Sequence, residues 1–179
     1  GEYLEISYED FTNLLEAQSS DGWGKILDEL ETRMKSREFQ EHLANFIDAK
    51  LYFSLVSGGY YKELTFLLFY YNGYSCSEPL PAVFQSEPFR RHFAEFLTHR
   101  IVIFAKNKEP ELQITKEDLE VFMKLFQITA DEQEHIVVDA IIECLTHEKD
   151  LGTAKKIQKI FKISPDQWWK IGRKAFKAS

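Results

Sequence analysis

Apolar residues recur at helical spacing along most of this chain, and the two-residue alternation of a half-buried strand is not the pattern of any segment. Ser7-Tyr8-Glu9-Asp10 resembles a capping box, and Phe11, Leu14 and Leu15 follow it at helical spacing. Trp23, Ile26, Leu27, Leu30 and Met34 continue the period. Ser36 stands where a helix N-cap is wanted. Phe39, Leu43, Phe46, Ile47 and Leu51 then share one face, and Gly58-Gly59 should break the helix. Tyr60 to Tyr71 is apolar on nearly every side and predicts a central buried helix ending at Asn72-Gly73. Residues 72–88 contain Gly73, Pro79, Pro81, Pro88 and three serines, and read as the longest irregular connection. A hinge at 73–85 would join two halves, 1–72 and 86–179, of one helical domain spanning 1–179. Ser86 should start a long helix whose core stripe is Phe89, Phe93, Phe96, Leu97 and Phe104.

The C-terminal half repeats a short phrase. Leu112-Gln113-Ile114-Thr115, Phe126-Gln127-Ile128-Thr129 and Phe161-Lys162-Ile163-Ser164 each place Ile before a hydroxyl residue, then a helix. Asp118, Glu132 and Gln167 occupy the third helical position, where an acid or amide can reach back to the cap. Ile114 can staple to Leu119 and Ile163 to Trp168, whereas the middle copy has polar Gln133 in that place. Pro165 suits a first helical position, where its missing N–H is no loss. From Thr129 to Ser164 is about the length of one helix pair in helical-repeat proteins. The expected fold is therefore all-α: stacked antiparallel helix pairs, a HEAT-like alpha-solenoid or an irregular helical domain, of about nine or ten helices.

Composition narrows the function classes. Of 179 residues, 44% are hydrophobic and 15% aromatic, which a disordered chain would not carry. Leu64 to Tyr71 is the longest apolar run and is far too short to span a bilayer, and no basic-then-apolar leader begins the chain. Gly1 reads as a scar of tag removal, so a piece cut from a longer protein is expected. Cys76 and Cys144 stand at no metal-binding spacing and build no disulfide framework; an intracellular location, cytoplasmic or nuclear, follows.

Five histidines were weighed for chemistry. His92, Glu95 and His99 share a helical face, and Glu132 with His135 forms an E-x-x-H pair, yet neither assembles a full ligand set. No phosphate-binding glycine loop, dinucleotide fingerprint or nucleophile elbow occurs. Cys144 lies on an apolar stripe with Ile141 and Leu145. No catalytic residue, metal or cofactor is assigned.

Two surfaces remain. Tyr60, Tyr61 and Tyr74 belong to a tyrosine-rich stretch, and Arg100 interrupts an apolar stripe. They are either core with phenols at its edge and an arginine stem lying over it, or the wall of a groove gripping a peptide or helix segment of another protein. The second surface is electrostatic. From Thr153 to Ser179 there are eight Lys or Arg and one acid, leaving 14 basic and 28 acidic residues in 1–152. On a helix from Ser164, Trp168, Ile171, Gly172 and Ala175 would lie inward, Trp169 and Phe176 on the flank, and Lys170, Arg173, Lys174 and Lys177 outward. With Lys155, Lys159 and Lys162 they would form a positive ridge able to meet RNA or DNA phosphates, an acidic partner, or only solvent. Gly172 would permit a close helix approach.

Ala154-Lys155-Lys156-Ile157 through Phe161-Lys162-Ile163-Ser164, ending Trp168-Trp169-Lys170-Ile171, resembles part of the C-terminal helical region of class C vacuolar-sorting tethering subunits. The resemblance implies an α-solenoid that holds partner proteins, with no catalytic motif. Taken together, the expectation is a non-catalytic interaction scaffold, with an RNA- or DNA-binding accessory domain as the alternative.

Overall fold

The computed structural model describes residues 32–57, 80–106 and 116–178, with single positions at 28, 64, 67, 68 and 71. Every regular element among the described residues is helical: α1 (Arg37–Ser57), α2 (Ala82–Gln85), α3 (Glu87–Lys106), α4 (Lys116–Leu125), α5 (Ala130–Thr146), α6 (Leu151–Ile160) and α7 (Pro165–Ala178). None of them is long and apolar enough to cross a membrane. The chain divides into two compact units, Gly1–Phe89 and Arg90–Ser179.

In the first unit, the Phe39 N–H donates to Ser36 Oγ at 3.4 Å at the start of α1. Phe39, Leu43, Phe46, Ile47 and Leu51 are buried, the face that the spacing predicts, joined by Ala44 and Ser54. The helix ends at Ser57; Gly58 and Gly59 lie outside the described residues. So do the helix starts predicted near Ser7 and Trp23, Thr115, Cys76, and most of Tyr60 to Tyr71, of which Leu64, Leu67, Leu68 and Tyr71 are helical and buried. The expected irregular connection needs correction over its last part. Ala82–Gln85 forms a helical turn with Pro81 at its N-cap position, φ −53° and ψ 147°, where no side-chain cap bond forms and the missing N–H gives up no hydrogen bond. Phe84 anchors this turn, 5.1 Å edge-on from Tyr71 and 4.7 Å from Phe89. Ser86 Oγ accepts from the Phe89 N–H, as the predicted start of α3 requires.

The second unit is built on parallel alternate helices. Arg90 near the start of α3 pairs with Glu132 in the first turn of α5, and Lys106 at its end pairs with Glu148 just beyond α5, so the two helices run the same way. α6 and α7 both pack against α5. Phe161 at the end of α6 shares a cleft with Ala130, Gln133 and Val137 near the start of α5, so α6 runs opposite to α5. Gln167 reaches Glu134 and Ile171 sits beside Val138, so α7 again runs with α5. Inside lie Phe93, Phe96, Leu97 and Ile101 of α3, Leu119 and Phe122 of α4, Phe126 of the following turn, Ile136, Val137, Ala140, Ile141 and Cys144 of α5, and Ala154 and Ile157 of α6. Each buried Phe contributes roughly 1.5–3 kcal/mol. Phe104 is only half-buried, at the edge of the stripe on which the spacing places it.

The repeated phrase is a repeated turn. Phe126-Gln127-Ile128-Thr129 and Phe161-Lys162-Ile163-Ser164 hold their second residue left-handed, Gln127 at φ 53° and Lys162 at φ 55°. In each, the Ile N–H reaches back five residues, Ile128 to the Met123 carbonyl at 2.8 Å and Ile163 to the Gln158 carbonyl at 3.0 Å. The preceding helix is thereby closed by a Schellman-type bond, and the next is capped by the fourth residue. At Thr129 the full capping box forms, with the Glu132 N–H donating to Thr129 Oγ1 at 3.1 Å and the Thr129 N–H to Glu132 Oε1 at 3.3 Å. At Ser164 only the forward bond forms, Gln167 N–H to Ser164 Oγ at 3.2 Å, because the Gln167 side chain donates to Glu134 instead.

Candidate binding surface

Two arginines of α3 depart from what the sequence alone suggests. Arg100 is 1% exposed, so its guanidinium faces the interior of the unit and is not presented to an incoming carboxylate. An arginine between Leu97 and Ile101 on an apolar stripe follows its neighbours inward. Tyr60, Tyr61 and Tyr74, the other members of that groove, lie outside the described residues.

Arg90, which no local pattern marks, has the richest set of contacts. Its Nη1 donates to the Phe126 carbonyl and its Nη2 to the Gln127 carbonyl, both at 3.0 Å. Its Nε and Nη2 also donate to the two oxygens of Glu132, at 3.2 Å and 2.7 Å. The planar fork thus satisfies carbonyls at the α4 terminus and holds the carboxylate that completes the α5 capping box. The Arg90 hydrogen bonds, aided by the Thr129 N–H, hold the Glu132 carboxyl below the usual glutamate range. These are positioning contacts.

They also dispose of the E-x-x-H pair: Glu132 is committed to Arg90 and Thr129, while the His135 ring faces the Asp131 carbonyl at 2.8 Å. Among the described residues no three His, Cys, Asp or Glu side chains cluster as a metal site would need. Cys144 is buried, and burial pushes its thiol up to about 11, so it is a neutral packing residue near pH 7.

The cations of the predicted basic ridge are all on the outside. Lys155 and Lys159 of α6, Lys162 of the following turn, and Lys170, Arg173, Lys174 and Lys177 of α7 are exposed. α7 sorts its side chains into three stripes. Ile171 and Ala175 are buried, with Trp168 half-buried beside them. Arg173 and Lys177, one turn apart, point to solvent, and Lys170 and Lys174 border an open cleft against Glu134 and Val138 of α5. Between the buried and cationic stripes stand Trp169, 66% exposed, and Phe176, 82% exposed. At the spacing of a helix, Gly172 lies one turn from each of them.

Gly172 corrects another expectation. A Cβ built there would meet nothing within 4 Å, so none of the described residues uses the glycine for close approach. The packing of α7 on α5 goes through Ile171, Ala175 and the Gln167–Glu134 hydrogen bond instead. The fitted chemistry is that of a surface: cations in water, two large aromatic rings with most of their area exposed, and between them a glycine whose Cβ position is open. Set against family models, curated proteins and solved structures, the chain matches none of them.

Proposed function

We propose that the chain is a non-catalytic protein–protein interaction domain, a stack of helix pairs that offers the basic, aromatic-edged face of α7 to an acidic partner. The observation that carries this reading is the pair Trp169 and Phe176. Large apolar rings beside a row of cations, at 66% and 82% exposure, are the composition of an interface and not of a solvated face. A solenoid of about nine or ten helices belongs to the same reading. Its support is the parallel course of α3, α5 and α7 and the identical turn recurring from Thr129 to Ser164. The resemblance to vacuolar-sorting tethering subunits falls on these helices and agrees with a partner-holding role. An intracellular location is part of the proposal and is supported by the free, buried thiol of Cys144.

Nucleic acid is the second reading, because exposed aromatic rings next to Arg and Lys suit stacked bases and phosphates. Charge favours the first reading. Residues 1–152 carry 28 acidic and 14 basic residues, a field that repels any polyanion long enough to leave the C-terminal patch. A short acidic segment of a protein meets only the patch. The test is a titration of the chain with poly-glutamate and with a single-stranded oligonucleotide of matched charge, for the parent and for a Lys170→Glu, Arg173→Glu, Lys174→Glu, Lys177→Glu variant. The parent should bind poly-glutamate more tightly than the oligonucleotide, and the variant should bind neither. Preference for the oligonucleotide would replace the protein reading with the nucleic-acid one.

A further inference from the structure

We infer that the Trp169–Gly172–Phe176 edge of α7 is a seat for an acidic amphipathic helix of a partner protein, with Arg173 and Lys177 as its charge contacts. The inference rests on the interaction reading above and specifies its ligand. It begins with the glycine. Gly172 stands in the interior of α7, where glycine is a poorer helix former than alanine or any ordinary residue. Among the described residues no turn, cap or internal contact accounts for it: a Cβ added there would meet nothing within 4 Å. What a bare Cα supplies on an exposed helix is room for another backbone to come close.

The surroundings give that visitor its chemistry. Trp169 lies one turn before Gly172 and Phe176 one turn after, both with most of their surface in water, so the bare patch is the floor of a notch with aromatic walls. An apolar side chain presented by a passing helix fits such a notch, as a knob fits a hole between residues on one helix face. Arg173 and Lys177 are exposed on the stripe adjoining the aromatic one. A visiting helix would therefore carry acids flanking its apolar stripe, and the acidic body of residues 1–152 selects against long polyanions. A helix also suits the length: Trp169 to Phe176 covers two turns, which an apolar i, i+3/i+4, i+7 set spans.

The probe is a synthetic peptide of about 18 residues, long enough to hold a helix, with leucines at i, i+3/i+4 and i+7 spacing and glutamates beside them. Its controls are a scrambled peptide of the same composition, the oligonucleotide, and phosphatidylserine vesicles. Affinity for the full chain is followed by fluorescence anisotropy, and folding by thermal melts. The amphipathic peptide should bind at least about tenfold tighter than its scramble. Gly172→Leu fills the notch without meeting this chain, so it should weaken the peptide about tenfold or more while the melting temperature stays level or rises. Trp169→Ala should weaken it comparably.

Equal binding of helix and scramble would overturn the helical seat and leave the acidic-partner reading standing. Binding of neither would overturn both. Unchanged affinity in Gly172→Leu would remove the notch, and tighter binding of vesicles or oligonucleotide than of the peptide would also overturn the proposal.

Discussion

Arg90 shows how one side chain can hold several elements in register. It reaches two carbonyls at the end of α4 and both oxygens of Glu132, which itself closes the cap of α5. Replacing Arg90 with Met keeps the stem and removes the fork, at a cost of about 2 kcal/mol from lost charged hydrogen bonds, moderated because both side chains are partly in water. The pH dependence has a definite sign. The folded carboxyl of Glu132 lies below its unfolded value, so its contribution is complete above the ordinary glutamate range and fades as the pH falls through the lower folded value. Thermal melts from neutral to acid pH should therefore show Glu132→Gln well below the parent at neutrality, with the difference closing as the pH falls. A difference independent of pH would contradict the ion pair's role. This contact was illegible in the sequence, where Arg90 and Arg91 look like two solvent-facing cations in a first turn; the partners lie some forty residues away and only tertiary structure joins them. Arg100 differs for the opposite reason: its place on an apolar stripe is visible in the sequence, but whether the guanidinium snorkels or stays inside depends on the helices around it.

At the scale of elements, the local signals carried well. Ser36, Ser86, Thr129 and Ser164 all accept from a backbone N–H three residues on, and the inner face of α1 is the one its spacing predicts. Caps and helical periodicity are short-range physics, so they survive whatever the tertiary fold does. The α2 turn escaped because the prolines around it read as an irregular connection, whereas a short helical turn starts directly after Pro81. The three stripes of α7 could be drawn from the sequence, but not that no described residue packs over the Cβ position of Gly172, since that depends on the neighbouring elements. The caps differ in one respect that can be measured. Thr129 takes part in a reciprocal box that Arg90 reinforces, while Ser164 makes a single bond on an exposed helix. Thr129→Ala should cost about 1–2 kcal/mol and Ser164→Ala about 0.5–1 kcal/mol in denaturant unfolding. Equal losses would mean that the box adds nothing to the simple cap.

At the largest scale, the account rests on the second unit, where α3, α5 and α7 run in one direction and one edge of α7 is exposed. The order α3, α5, α7 follows from two ion pairs and one side-chain hydrogen bond, contacts at both ends of α5 that fix direction without reference to a known fold. Fold class was legible because helical periodicity fills the sequence. The candidate surface was legible only as a charge imbalance, an acidic body and a basic end, until exposure separated half-buried Trp168 from Trp169 and Phe176, which have most of their area in water. The central claim, that this open edge is where a partner sits, is tested most directly by NMR chemical-shift mapping of the labelled chain titrated with the acidic amphipathic peptide. The account predicts shifts concentrated at the indole of Trp169, the amides of Gly172 and Arg173, and the ring of Phe176, with α1 unaffected. Shifts spread evenly over the exposed lysines, or centred on α1 with α7 silent, would contradict it.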